Sequence, residues 1–243
     1  NLVKLSNDYN VDLFVLVSTD KAVNPVNVMG ATKRVAEKVI QSFNNESKTC
    51  FMAVRFGNVL GSSGSAIPIF EKQIKEGGPL TITHPEMTRY FMSIQEASQL
   101  ILQCGALGKE GEIFLLEMGK PIKILQMAKD LIRLSGLEPD IDISIVFTGL
   151  RSGEKLYEEL QLKDESLMQT EHKKIMILEG SKSIEPWLFF YEKLQEIIIA
   201  GEELNSDKIQ RLLKIILPTY QPRALSSLHD KNLIKNNGIK VQA

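Results

Sequence analysis

Ser18, Thr19, Asp20 and Lys21 set two hydroxyls, a carboxyl and an amine side by side, and Lys33 adds a second amine a short way on. A hydroxyl can hydrogen-bond a reacting oxygen, a carboxylic acid can protonate a departing group, and an amine can take up a proton. Asp20 suits the acid and Lys21 the base, each provided that water is largely excluded around it. The same residues are equally consistent with a polar turn in which Ser18 or Thr19 caps the following helix. Adjacent side chains on a regular strand point to opposite faces. Thr19, Asp20 and Lys21 can therefore meet one ligand only if the chain bends there.

The elements that must position these groups are readable around them. An apolar run at 13–17 has strand length and β-branched content, and it stops where the polar cluster begins. Pro25 and a helical stripe over 31–43 follow, with Val35, Val39, Ile40 and Phe43 on one face. In an open α/β sheet, ligands sit in the crevice beyond the carboxyl ends of the strands, which is where the cluster falls. A second buried strand is expected at 50–54, leading into Arg55-Phe56-Gly57-Asn58. Downstream, helices are expected at 66–75, 94–107, 122–135, 156–160, 186–200 and 207–217, with a left-handed cap at Gly136. Strands are expected at 80–83, 112–118, 141–147 and 175–178. Trp187, Phe189 and Phe190 are expected to pack the last helices, and residues after Pro222 read as a polar, aperiodic tail.

The chain has 243 residues, of which 43% are hydrophobic, enough for one large domain or two small ones with a core. A formal net charge of −1 gives no global attraction to nucleic acid or lipid. Cys50 and Cys104, the only cysteines, have no metal-type spacing and fit a reducing cytoplasm. No signal peptide and no apolar run of ~18 residues is present, so a soluble chain is expected. Residues 1–10 read like the end of a helix without a start signal, and the dinucleotide fingerprint GxGxxG is nowhere in the sequence.

Several long motifs give a specific resemblance: STDKAVNPVNVMGATK at 18–33, RFGNVLGS at 55–62, TRYFM at 88–92 and RSGEKLYEEL at 151–160. In this order and spacing they resemble the extended short-chain dehydrogenases/reductases. Within these the likeness is to the bacterial UDP-N-acetylglucosamine 4,6-dehydratases of capsule, O-antigen and glycan synthesis. Met29 stands where most of that superfamily carries tyrosine, as in the membrane-anchored members, and methionine cannot transfer a proton. The group that removes the 4-hydroxyl proton is then Lys21, Asp20 or a water.

The resemblance implies transient oxidation at carbon 4 of the hexose, loss of water across carbons 5 and 6, and hydride return to carbon 6, with NAD or NADP as cofactor. It implies Thr19, Asp20, Lys21, Met29 and Lys33 as catalytic residues, with Lys33 and Thr19 also meeting the cofactor. It implies Asn58, Thr81, Thr83, Arg89, Arg151 and Glu154 as substrate-binding residues: asparagine and arginines toward the diphosphate, the strand at 81–83 beside the uracil, and Glu154 toward ribose. No metal is implied. A homo-oligomer handling a UDP-sugar is expected, with no nucleic acid or membrane contact from this chain. It would act in the cytoplasm or, for an anchored full-length protein, at the cytoplasmic face of the inner membrane.

The fold class expected is α/β. It is a partial Rossmann-like doubly wound parallel sheet without its amino-terminal half, joined to a smaller α+β substrate-binding region. The expected division is 1–60, 61–222 and a tail at 223–243. Two other readings stay open: a nucleotide-sugar epimerase or carbon-5-inverting dehydratase, and a catalytically silent fragment that binds the sugar nucleotide.

Overall fold

The computed structural model describes residues 1–62, 64–109, 111–163, 165–179 and 186–222. Along the chain lie α1 (Leu2–Asp8), β1 (Leu13–Val17), a 3₁₀ turn (Asp20–Ala22), α2 (Val28–Asn44), β2 (Cys50–Arg55), β3 (Asn58–Val59), α3 (Ala66–Lys75) and β4 (Leu80–Ile82). Then come β5 (Thr88–Arg89), β6 (Phe91–Met92), α4 (Ile94–Leu107), β7 (Ile113–Leu116), β8 (Ile122–Lys123), α5 (Ile124–Leu134) and β9 (Ile145–Phe147). The last elements are β10 (Ser166–Gln169), β11 (Ile175–Glu179), α6 (Trp187–Glu202) and α7 (Ser206–Ile216). The chain divides into two compact units. One comprises Asn1–Gly57, Gln95–Glu117 and Glu159–Pro222, and the other includes Asn58–Ile94 and Met118–Glu158. The tail expected at 223–243 lies outside the described residues.

The first unit is built on a sheet of order β1-β2-β7-β11-β10. β1, β2 and β7 are parallel, and β11 and β10 add antiparallel to one side, so the sheet is mixed and not wholly parallel. The pleat decides what each residue packs against. Phe14 and Leu16 share a face with Phe51 and Ala53, and there they meet Ile40 and Phe43 of α2 and Trp187 of α6. Val15 and Met52 point the other way, toward α4, where Gly105 and Gly108 leave room for Leu13 and Met52. Helices thus cover both faces, which is why β2 reads as a continuous apolar run. Phe189 and Phe190 pack with Leu213 and Ile216 of α7 around Ala31 and Val35.

The second unit has three short two-stranded pairings: β3 with β6 and β4 with β9, both parallel, and β5 with β8, antiparallel. Its core joins Phe70 and Ile74 of α3, Leu80 and Ile82 of β4, and Ile124, Ala128 and Ile132 of α5. Gly136, at φ 77, ends α5 in the left-handed conformation.

Two expectations are corrected here. The strand at 141–147 is trimmed to 145–147, because Glu138 and Asp142 close a turn on each other's amides at 2.8 and 2.9 Å. The helix at 156–160 does not form. The carbonyls of Lys155 and Leu156, which would start its ladder, are taken instead by the Arg89 side chain at 2.8 and 3.2 Å.

Candidate active site

The bend demanded at the end of β1 is present. Ser18 and Asp20 donate their amides to the carbonyls of Val54 and Phe56, at 2.8 and 3.0 Å, so pairing with β2 carries on past the last strand residue. Thr19 is extended, at φ −151 and ψ 154, and Asp20 then enters the 3₁₀ turn. The Ser18 and Thr19 side chains therefore leave on opposite sides, and the turn brings the next two round to Thr19. The Thr19 hydroxyl donates to Asp20 Oδ1 at 2.9 Å, and Lys21 Nζ donates to the same oxygen at 2.9 Å. Thr19 also caps the turn, accepting from the Lys21 amide at 3.3 Å. Asp20 is fully buried, and its Oδ2 has no hydrogen-bond partner among the described residues. A hydroxyl, a carboxyl and an ammonium thus crowd one point.

Helix α2 is seated directly on this turn. Asn27 caps it, accepting from the Gly30 amide at 2.8 Å. A Cβ at Gly30 would lie 2.2 Å from the Lys21 carbonyl oxygen, so only glycine allows the approach. Met29, beside it, is 48% exposed, and its thioether is no part of the core. Lys33, one turn further on, donates Nζ to the Val17 carbonyl at 3.2 Å, which places an ammonium at the carboxyl end of β1.

Behind the turn lies a buried ionic cluster. Glu37 is fully buried on α2 and takes both arms of the Arg55 guanidinium, Nε and one terminal nitrogen, each at 2.8 Å. The other terminal nitrogen of Arg55 reaches Glu165 at 3.1 Å, and Arg34 reaches Glu37 at 2.8 Å and Glu165 at 3.6 Å. The Ser18 hydroxyl donates to Glu37 at 2.6 Å. Burial pushes the Glu37 carboxyl up, but the field and hydrogen bonds of Arg55, the charge of Arg34 and the Ser18 hydroxyl together hold it below its ordinary value. Burial likewise works against the Arg55 charge, yet Glu37 and Glu165 carry it above the ordinary guanidinium value.

In the second unit, part of the expected substrate-binding set gathers around Glu154. That carboxylate accepts from the Thr83 hydroxyl at 3.3 Å and from the Arg151 amide at 3.0 Å, and an Arg89 nitrogen stands 3.9 Å away. The Arg151 side chain is exposed. Arg89 is buried, and its guanidinium donates to the carbonyls of Thr88, Lys155 and Leu156. Thr81 is engaged elsewhere: its amide and hydroxyl bond to the two ends of the Gln73 amide at 3.0 and 2.8 Å. Asn58 opens β3, its amide donating to the Tyr90 carbonyl at 2.9 Å.

Sequence reasoning missed Glu37, Arg55, Glu165 and the inward turn of Ser18. One signal was available. Glu37 precedes the buried Ile40 and Gln41 by one helical turn, so its spacing places it on the inward side of α2. Among the described residues, no group of three or more His, Cys, Asp and Glu is placed to hold a metal ion. No helix among them is long and apolar enough to cross a membrane.

The chain matches the model of a family described as polysaccharide biosynthesis protein over residues 1–180. It is 55% identical over 216 residues to the capsular polysaccharide biosynthesis protein CapD of Staphylococcus aureus, with 88% of this chain and 35% of CapD covered. It is 58% identical over 165 residues to a probable polysaccharide biosynthesis protein, EpsC, of Bacillus subtilis, covering 68% and 27% of the two chains. The chain therefore spans about a third of the length of these relatives. UDP-glucose 4-epimerase of Rickettsia bellii is 38% identical over 169 residues, 68% of this chain and 48% of the epimerase. Among solved structures, Pen from Bacillus thuringiensis superposes with a TM-score of 0.67 at 36% identity, over 73% of this chain and 56% of Pen. A double mutant of DesIV, a dTDP-glucose 4,6-dehydratase from Streptomyces venezuelae, with NAD and DAU bound, shares the fold. Its TM-score is 0.59 at 20% identity, over 66% of this chain and 54% of DesIV.

Proposed function

The chain belongs to the polysaccharide biosynthesis protein family, and from that premise we propose that it carries the catalytic turn of a UDP-N-acetylglucosamine 4,6-dehydratase. The observation that carries this reading is the convergence of Thr19 and Lys21 on one oxygen of buried Asp20. A 4,6-dehydration needs a donor to the 4-oxygen, a base for the carbon-5 proton and an acid for the departing 6-hydroxyl, and these three side chains are of those kinds.

A nicotinamide cofactor, NAD or NADP, supplies hydride removal from carbon 4 and hydride return to carbon 6 when bound. The fit is local and chemical: Lys33 sets an ammonium at the carboxyl end of β1, where it would donate to ribose hydroxyls next to Thr19. Thr19 turns its one hydroxyl proton from Asp20 Oδ1 to the 4-oxygen, and the 4-hydroxyl proton passes to solvent water as carbon 4 is oxidised. Proton transfer along the 2.9 Å contact from Lys21 Nζ to Asp20 Oδ1 leaves a neutral amine and a carboxylic acid. That is the base and the acid that elimination needs. Lys21 then takes the carbon-5 proton, Asp20 protonates the 6-hydroxyl as it leaves as water, Lys21 gives its proton back to carbon 5 once carbon 6 is reduced, and solvent reprotonates Asp20. Met29 offers apolar contact.

Recognition of the uridine diphosphate is assigned to Asn58, Thr83, Arg151 and Glu154, with Thr81 and Arg89, whose polar groups are spent on Gln73 and on three carbonyls, in supporting roles. Arg151 is the exposed guanidinium suited to bidentate phosphate contact, and Arg89 shapes the segment that carries it.

The test is direct. The intact protein, given UDP-N-acetylglucosamine and NAD⁺, should yield a UDP-4-keto-6-deoxy sugar, read by NMR. Lys21→Met should lower kcat by about 10³-fold, as expected on removing a general base. A second reading, 4-epimerisation, is favoured by the 38% identity to a UDP-glucose 4-epimerase. A product that keeps its 6-hydroxyl and is inverted at carbon 4 would replace the first reading with this one.

A further inference from the structure

We propose that Glu37, clamped by Arg55, is a positioning residue for the candidate active site, and that it orients Thr19 by holding Ser18. The inference rests on the reading that Thr19 meets the reacting oxygen.

The chain at Val17–Thr19 is gripped from one side by two successive turns of α2. Lys33 holds the Val17 carbonyl at 3.2 Å, and Glu37, four residues on and on the same helix face, holds the Ser18 hydroxyl at 2.6 Å. The second bond is short and charge-assisted, in the strong range for a hydroxyl on a carboxylate. Because Thr19 is extended, Ser18 and Thr19 leave the backbone in opposite directions. Fixing Ser18 inward therefore fixes the direction of Thr19 toward Asp20.

The carboxylate could not do this without being held itself. A lone buried acid would take up a proton and then no longer act as a charged acceptor. The bidentate contact with Arg55 keeps it ionised and engages both of its oxygens. Arg55 is anchored in turn by Glu165, whose carboxylate accepts from the Leu162 amide at 2.8 Å. With Arg34, the group comprises two guanidinium and two carboxylate charges, all within the first unit. The Ser18 hydroxyl also helps to hold the Glu37 charge, so the test must separate cohesion from positioning.

The experiment is a double-mutant cycle on the intact protein with UDP-N-acetylglucosamine and NAD⁺. Ser18→Ala removes the hydroxyl and leaves all four charges in place, so Tm should stay within about 3 °C. It should lower kcat about tenfold with KM unchanged, and Ser18→Thr, which restores a hydroxyl, should recover most of that loss. In a Thr19→Val background the same Ser18→Ala change should cost less than about twofold, because there is no Thr19 hydroxyl left to orient. An equal loss in both backgrounds, or no loss in either, overturns the proposal. An unchanged kcat in Thr19→Val alone shows instead that the reading of Thr19 has failed, and the inference falls with it. A crystal structure of Ser18→Ala tests the geometry without substrate. Thr19 should leave Asp20 Oδ1 or split between rotamers, and a Thr19–Asp20 bond kept at its present length overturns the proposal.

Discussion

Two arginines among the described residues, Arg55 and Arg89, lie out of water and are held in opposite ways. Arg55 in the first unit faces the carboxylates Glu37 and Glu165, contributed by α2 and by the segment before β10. Arg89 in the second unit gives its donors to the carbonyls of Thr88, Lys155 and Leu156, with Glu154 and Glu158 further off at 3.9 and 3.7 Å. The difference teaches what a buried guanidinium is used for. Carboxylate partners arrive on side chains, so Arg55 joins elements whose backbones are already satisfied. The Lys155 and Leu156 carbonyls are spent on Arg89 and, for Leu156, also on the Thr88 amide at 3.4 Å, so Arg89 helps to set the course of residues 155–156 and keeps them from becoming helical. One acts as a rivet and the other as a template.

Removing each guanidinium should break the comparison open. Arg55→Met leaves Glu37 and Glu165 buried without their main counter-charge and should cost about 3–5 kcal/mol, enough to lower Tm by roughly 10 °C. The loss should also depend on pH. Glu37 is held below its ordinary value of 4.5, so in the wild type its contribution is present above that value and is lost as pH falls through the lower folded value. In Arg55→Met, burial is opposed only by Arg34 and Ser18, so the gap between wild type and variant should narrow as pH drops below about 4.5. Chemical denaturation at pH 7 and pH 4 measures this, and an equal gap at both would sever the link to Glu37.

Arg89→Met should be milder, about 2 kcal/mol, because carbonyls tolerate water better than a stranded carboxylate does. Its effect should be local, read as faster amide exchange at residues 151–158 with the first unit unchanged. If both variants melted the whole chain alike, the contrast between rivet and template would be lost. At the small end, Lys123→Ala removes a fully exposed partner of Glu86 and should leave Tm where it is, since such pairs are screened by solvent.

These contrasts also explain what was legible beforehand. The strand at 13–17, the helix at 66–75 and the cap at Gly136 were readable because their signals are local: period, composition and one glycine. The 156–160 helix was misread because LYEEL has helical composition, while its rival is a side chain 66 residues away in sequence. The strand at 175–178 was readable as β11, but β10 and the antiparallel sense of both were hidden for the same reason, since they depend on a neighbour that periodicity does not name. In the site, the residue types at 19–21 and 33 were readable and so was the need for a bend. The ionic support was not, because charged residues are assigned outward unless something pairs them.

Gly30 has a mechanical consequence. With no side chain there, the first turn of α2 bears directly on the main chain at Lys21 and leaves no clearance between them. Helix and turn must travel as one part, so the amine at Lys21 cannot be re-aimed by editing its flanking loop. Moving that amine would require shifting the axis of α2 itself, from residues far outside the motif.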